Sequence, residues 1–523
     1  MPTSILTPAP ERPRPQSVSR GEARVLLGLT ALALLLRVSS LSRGLYNDEA
    51  YSLALAQRSF GHMLALFGYE PNGTPYPVML WPLIRIFGTG VTLLRLPAVF
   101  AGTASVPALW WAARRFAAPA TALLAAGLLA ISPMAVWYGQ EARSYAFVVL
   151  AACLSFGALS RALERGNARW PWVGYVAAMA ALAYCEILAA PLVLPAQALI
   201  ARRAGRAGVR RWLWSLLAVL VCCVPLLVAA TIARGRRNAL YWLAKPDHEI
   251  VVLALQEFTA GFSGVSAARW ATLAAGAALI AAALLVARRG RSPANGGTLA
   301  IALCWGVLPG ALLFAISFAQ PVFWPRYLIL SLPGLYLALA LAAERLWHSR
   351  RGAATSVVCV AVVVIAAVTA DARQRTAVQE DWPPVAAWLH AERSADQSVI
   401  VDNASVLPVL GYYYPAFRAP DGDLIVQEWH DRPLPVGFVG LRDRGGYGTV
   451  PYGPPSVATF RGLAGRGGGT VWLVVSEVVT SLQGEPWDGA AVAWARSHCH
   501  VQVRETLEVW TVRASGCAVS GTP

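Results

Sequence analysis

The strongest constraint on this chain is a succession of apolar segments separated by short, arginine-bearing turns. Val25 to Leu41, Thr92 to Ala113, Thr121 to Val136, Ser144 to Leu163, Trp172 to Tyr184, Ile187 to Ile200, Trp212 to Ile232, Trp270 to Ala287, Leu299 to Phe318, Arg326 to Glu344 and Thr355 to Ala370 all read this way. A bilayer core of about 30 Å asks for about 20 apolar residues at 1.5 Å each, so most of these suit spans and a few are short. Only 14% of the residues are charged and mean hydropathy is +0.50, against about 25% charged in a soluble domain. The expectation is a polytopic α-helical membrane protein with about eleven spans.

The net charge of +16 does not point to nucleic acid. The arginines sit between apolar segments, at Arg114-Arg115, Arg202 to Arg211, Arg288 to Arg291 and Arg345 to Arg351, as cytoplasmic anchors do. The Pro- and Arg-rich head, 1–22, reads as disordered and cytoplasmic. Residues 23–370 then form the membrane body. Tyr76 to Phe87 is too short to cross and carries Pro77, Pro82 and Arg85, so a surface or re-entrant helix is expected.

With this topology Asp48 and Glu49, just past the first apolar segment, lie outside the cytosol. Acidic residues contribute little to orientation, so the pair needs another reason. One is helix capping by Asp48, with Glu49 in the first turn of a helix running through Ala50 to Phe67. The other is a carboxylate that acts as a base or cation ligand at a membrane cavity. The same face receives Gln140 to Tyr145, the turn Tyr184-Cys185-Glu186, and Gln320 to Tyr327. Ala233 to Ala268 reads as a basic outer loop, and Glu70 faces either the site or water.

From Asp371 the chain turns polar and rich in Gly and Pro. Strands are expected at Ser398 to Val401, Leu424 to Val426, Val471 to Val475 and Leu507 to Val512, and helices at Pro384 to Ala391 and Gly489 to Arg496. Residues 371–523 thus read as an extracytoplasmic α/β domain. Its Gly465 to Gly469 run leads into a strand, which suits a linker better than a phosphate loop. Cys499 and Cys517 can pair if the domain faces an oxidising compartment; the other cysteines show no metal-ligand spacing.

Asp48-Glu49, Gln140-Glu141-Ala142-Arg143-Ser144-Tyr145, Arg326-Tyr327 with Leu332-Pro333-Gly334, and Glu380-Asp381-Trp382 together resemble the GT-C glycosyltransferases. The nearest group is the glycosyltransferase family 39 type, which includes protein mannosyltransferases and the lipid A aminoarabinose transferase. The resemblance runs from about Val25 to Tyr413. It departs at Tyr184-Cys185-Glu186, where many relatives carry Tyr-Thr-His, so no histidine role carries over.

The resemblance implies inverting transfer of a sugar, mannose foremost, from a polyprenyl-phosphate carrier to an extracytoplasmic hydroxyl on a lipid, polysaccharide or protein. It implies a multi-pass cell-membrane protein surrounded by lipid. Asp48 is the expected base, with Glu49 positioning the acceptor or holding Asp48. Arg143 and Arg326 are expected at the carrier phosphate because a guanidinium binds two oxygens. Tyr327 would donate a hydroxyl, and Arg37 is a weaker cation candidate. Glu141 and Glu186 are expected to bind substrate, and some of the four carboxylates could hold a divalent cation. A lipid-linked-sugar transporter or flippase is the rival: it too needs cavity arginines, but neither a fixed acidic pair nor a folded outer domain.

Overall fold

A computed structural model describes residues 18–65, 67, 75–166, 168–236, 245–261, 266–288, 296–377, 379–394, 397–401, 407–414, 438–440, 457–466, 469–476, 490–507 and 509–518. Most of the head, Glu70 and the expected strand at Leu424 to Val426 lie outside them. Every apolar segment has a helical counterpart. The membrane body runs α1 (Arg20–Val38), α2 (Asn47–Gln57), α3 (Phe60–Ala65), α4 (Pro75–Phe87), α5 (Val91–Ala113), α6 (Pro119–Ala130), α7 (Pro133–Tyr138), α8 (Tyr145–Arg165), α9 (Arg169–Cys185) and α10 (Ala189–Arg203). It continues with α11 (Gly205–Cys222), α12 (Val224–Arg236), α13 (His248–Ala260), α14 (Ser266–Arg288), α15 (Gly296–Ser317), a 3-10 turn (Pro325–Ser331), α16 (Leu332–Leu346) and α17 (Arg350–Gln374).

Among the described residues six helices are long and apolar enough to cross a membrane, and α11 with α12 makes a seventh if that pair, bent by 54°, is one span. The chain is an integral membrane protein. Two expected continuous elements are broken. Thr121 to Val136 divides at Ser132-Pro133, because proline has no N–H to give and disfavours helix in the residue before it. Ser132 Oγ instead caps α7 at the Ala135 amide, 3.3 Å away. The helix expected from Ala50 to Phe67 divides at Arg58 into α2 and α3. The outer loop also needs correcting, since α13 lies within it, capped by Asp247 Oδ1 on the Ile250 amide at 3.0 Å.

Small residues let the helices meet closely, as membrane helices do where lipid gives no hydrophobic drive. Gly306 of α15 faces Gly334 of α16, and a Cβ on Gly334 would stand 2.5 Å from the Gly306 amide nitrogen. Trp305 beside it stacks on Phe156 of α8 at 3.7 Å and donates its indole N–H to Leu330 O at 2.9 Å. This contact holds the 3-10 turn that carries Arg326 and Tyr327.

The arginine-bearing turns gather at the opposite end of the bundle. Arg114 pairs with Glu22 at 2.7 Å, Arg115 pairs with Glu164, and Arg203 reaches Thr298 Oγ1 at 3.5 Å.

The tail adds α18 (Trp382–Glu392), β1 (Ser398–Val401), α19 (Leu407–Tyr413), β2 (Phe438–Gly440), α20 (Val457–Arg466), β3 (Val471–Ser476), α21 (Ala490–His498), β4 (His500–Thr506) and β5 (Val509–Ser515). They form one sheet in the order β2-β1-β3-β5-β4. β1 runs parallel to β2 and β3, with Val399 opposite Trp472, while β5 is antiparallel to β3 and β4. The strand expected at Leu507 to Val512 is β5, which begins at Val509 after a turn at Leu507. Cys499 and Cys517 form a disulfide that ties α21 to the end of β5.

One buried cluster is shared between tail and membrane body. It joins Leu45, Ala50 and Leu53 to Leu94 and Ala146, and through these to Trp382, Trp388, Leu410 and Trp472. The tail is therefore packed onto α2 through α19, not hung from a linker.

Gly334→Ala should force α15 and α16 apart and cost about 1–3 kcal/mol, as overpacking does. The measurement is the thermal unfolding midpoint in detergent; an unchanged midpoint would show that the two helices do not need this closeness.

Candidate active site

The sequence places Asp48 and Glu49 side by side, and the fold separates them. α2 starts after Tyr46, whose backbone is extended and whose side chain makes no capping bond. Asp48 is not the cap; both acids lie in the first turn, where the helix dipole favours them. At 3.6 residues per turn, neighbouring side chains point about 100° apart. One acid therefore enters the protein while the other stays part-exposed.

Glu49 is 0% exposed and is held by Arg95 of α5, itself 3% exposed. The pair is bidentate, with Arg95 Nε on Oε1 at 2.7 Å and Nη2 on Oε2 at 2.5 Å. The Ala142 amide also donates to Glu49 Oε1, at 2.8 Å. Arg95 spends its remaining donors on the turn before α2, at the carbonyls of Leu41, Arg43 and Gly44, each 2.9 Å away. Glu49 thus anchors the loop and neither faces an acceptor nor holds Asp48, contrary to expectation. The sequence missed Arg95; the available signal was a charge inside an apolar span, which is by default worth explaining.

Asp48 is 29% exposed and accepts from Arg326 Nη1 at 2.6 Å; Arg326 is 18% exposed. Burial pushes the Asp48 carboxyl up, but the Arg326 and Arg143 charges and the Arg326 hydrogen bond outweigh it and hold the group below the usual carboxylate range. Arg143 sits in the turn between α7 and α8. Burial works against its charge, yet Asp48 and the phenols of Tyr145 and Tyr46 raise it further above the ordinary arginine value. Arg326 also lies over the Tyr145 ring at 5.7 Å and the Tyr327 ring at 6.0 Å. Asp48, Arg143, Arg326 and Tyr327 therefore form one cluster of side chains.

Glu141 lies beside them, 2% exposed. Its Oε1 accepts from Trp137 Nε1 at 2.7 Å and Gln379 Nε2 at 3.3 Å. The Tyr46 phenol is its neighbour, but neither Tyr46 Oη nor Glu141 Oε2 closes a well-formed hydrogen bond among the described residues. Burial, then the charges of Glu49 and Asp48, push the Glu141 carboxyl up to about 7, against the pull of Arg326.

Glu186 ends α9, is 5% exposed, and is an electrostatic neighbour of Tyr327. Glu257 of α13, missed because its segment read as loop, accepts from the Tyr138 hydroxyl at 3.2 Å; burial pushes it up to about 8.

Arg37 is not in the pocket. It is fully buried, with Nη1 on the carbonyls of Ala33 and Ala130 at 3.0 and 3.2 Å. It fits only because Gly102 and Gly139 lack side chains: a Cβ on either would lie 2.7 or 2.8 Å from its Nε. Its place is between α1, α5 and the end of α7, which removes it from the expected phosphate contacts. Two of the carboxylates expected as cation ligands are engaged by arginines. Glu49 is committed to Arg95 and Asp48 to Arg326, and among the described residues no three acidic, histidine or cysteine side chains form a metal-holding group.

This arrangement of helices is the GT-C fold of membrane glycosyltransferases. The structure of ArnT from Cupriavidus metallidurans in the apo state aligns over 97% of this chain and 100% of its own, with TM-score 0.57 and 14% identity. The same protein bound to undecaprenyl phosphate aligns equally well, with TM-score 0.57. The oligosaccharyltransferase AglB from Archaeoglobus fulgidus, solved with an inhibitory peptide and a dolichol-phosphate, aligns over 95% of this chain and 74% of its own, with TM-score 0.51 and 12% identity. Residues 74–228 match the family model described as dolichyl-phosphate-mannose-protein mannosyltransferase. No curated protein matches the chain in sequence.

Glu141 makes stability pH-dependent. The folded state binds its proton more tightly than an unfolded carboxyl does, so its contribution is full below 4.5 and is lost as pH rises towards about 7. In Glu141→Gln the unfolding midpoint should fall less over that interval than in the wild type. Parallel curves for the two proteins would contradict the assignment.

Proposed function

We propose that this protein transfers a sugar from a polyprenyl-phosphate carrier to an acceptor hydroxyl outside the cytosol, with inversion at the anomeric carbon. The observation that carries the reading is the half-open Asp48–Arg326 pair at 2.6 Å, with Arg143 in reach of the same carboxylate. The phosphate-bearing lipids in the aligned ArnT and AglB structures and the matched family model support a lipid-phosphate donor. That model's description makes mannose the first sugar to test.

The chemistry follows from the pair. A phosphate leaving group needs no general acid, whereas an acceptor hydroxyl does need a base. As found, Asp48 is a weak base, because Arg326 stabilises its charged form. An incoming carrier phosphate competes for Arg326, whose fork suits two phosphate oxygens. With that guanidinium turned to phosphate, Asp48 loses its counter-charge and becomes more basic. The acceptor O–H then gives its proton to Asp48 as its oxygen attacks the anomeric carbon. The bond from that carbon to the phosphate oxygen breaks, and its electron pair leaves on the carrier phosphate, next to Arg326 and Arg143. Tyr327 donates a hydrogen bond, and Glu141 and Glu186 line the sugar side. Direct attack with one base inverts the centre; retention would need a second carboxylate as nucleophile.

The disulfide Cys499–Cys517 and the grouping of arginine turns at the far end support an extracytoplasmic pocket in the cell membrane.

The test is reconstitution into liposomes with polyprenyl-phosphate [¹⁴C]mannose and a cell-envelope acceptor extract. Asp48→Asn should bind carrier normally and lose about 10²–10⁴-fold in turnover, the usual range for a general base. Full turnover in that variant removes Asp48 as base, and lipid translocation that survives it would favour a flippase. Arg326→Ala should weaken carrier affinity by roughly 10–100-fold, the loss of one or more charge-assisted hydrogen bonds; equal affinity removes the phosphate assignment.

A further inference from the structure

The first turn of α2 leaves backbone N–H groups without partners inside the helix, as every helix start does. Its own N-cap residue, Tyr46, supplies nothing. The donor at Asn47 is instead satisfied from 333 residues away, by Glu380 Oε2 at 3.1 Å. The same oxygen accepts the Trp382 indole N–H at 2.5 Å, and Glu380 is 5% exposed. Two residues before Asn47, the Leu45 amide donates to the Tyr413 hydroxyl at 2.5 Å, and a Cβ on Gly44 would stand 3.3 Å from that oxygen. Gln379, next to Glu380, reaches Glu141. The tail therefore grips the loop just ahead of Asp48 at two amides and touches a pocket acid at a third point.

Glu380 is itself fixed to the sheet through its neighbours. The Asp381 amide donates to Leu507 O at 3.1 Å, Thr506 Oγ1 donates to Asp381 O at 3.0 Å, and Trp382 is fully buried. Trp388 of α18 packs edge-on against Trp472 of β3, with centroids 5.0 Å apart.

We infer that Glu380 is a positioning residue for Asp48: with Tyr413 it couples the terminal domain to the geometry of the catalytic carboxylate. The inference rests on the reading of Asp48 as base. A capping carboxylate on a helix amide is a charge-assisted bond aided by the dipole. Asp48 is the next residue, so slack in the cap moves its carboxylate directly. Arg326 and Arg143 do not depend on the cap, so the carrier phosphate keeps its contacts.

The experiment compares wild type, Asp48→Asn, Glu380→Gln, Glu380→Ala and Tyr413→Phe as full chains in liposomes. It reads polyprenyl-phosphate affinity, the single-turnover rate per bound carrier, and hydrogen exchange of the peptide spanning 45–52. Glu380→Ala should lower the rate about 100-fold, the scale of a misplacement near 1 Å. Glu380→Gln, which keeps one accepting oxygen, and Tyr413→Phe should each lower it about tenfold, with carrier affinity unchanged and faster exchange at 45–52. Should Glu380→Ala fail to fold, the two milder variants carry the test. A merely structural role would reduce the amount of carrier-binding protein and leave the rate per bound carrier at the wild-type value, which would overturn the inference, as would a parallel loss of carrier affinity. Failure of the parent reading looks different: it appears as no transfer by the wild type, or as transfer untouched by Asp48→Asn.

Discussion

The pocket depends on one buried ion pair, Glu49 with Arg95. Taking two charges out of water costs several kcal/mol each, which their attraction repays only with near-ideal geometry and further hydrogen bonds. Both conditions are met here. The pair is bidentate, a backbone amide serves Glu49 as well, and three carbonyls of the preceding turn take the rest of Arg95. A segment that leaves a span with little regular structure is thereby fixed against α5 at one end of the bundle.

On the proposed reading, that fixation leaves its neighbour to react. Asp48 remains part-exposed and paired with Arg326, while Glu49 is wholly enclosed with Arg95. Helical periodicity sends the two adjacent acids in different directions, and the proposed function gives one of them the holding role and the other the reacting role. The turn before α2 is gripped from two directions, by Arg95 in the bundle and by Glu380 and Tyr413 in the tail. The part-exposed Asp48 thereby gains the same kind of support that a fully buried group receives from its surroundings.

Two groups of buried polar residues contrast. Gln197 with Tyr175, Trp212 and Ser155 forms a bonded network among α8 to α11, at 2.6–3.1 Å, and belongs to packing. Glu141 and the Tyr46 phenol are neighbours near Asp48, and among the described residues neither Glu141 Oε2 nor Tyr46 Oη closes a well-formed hydrogen bond.

Composition and apolar periodicity by themselves determined that the chain is a helical membrane protein, where most helices lie, and that a small mixed domain follows. Those properties come from local burial demands that each segment states alone. That Asp48, Arg143, Arg326 and Tyr327 come together was expected from the family resemblance, helped by how few polar residues stand at span ends. Tertiary structure alone decided that Glu49 turns inward to Arg95, that Arg37 lies between two glycines, that Glu257 comes from a helix, and that Glu380 caps a helix begun 333 residues earlier. Such pairings join positions distant in the chain, and the direction of a side chain is set by the packing of its helix, which no local pattern records.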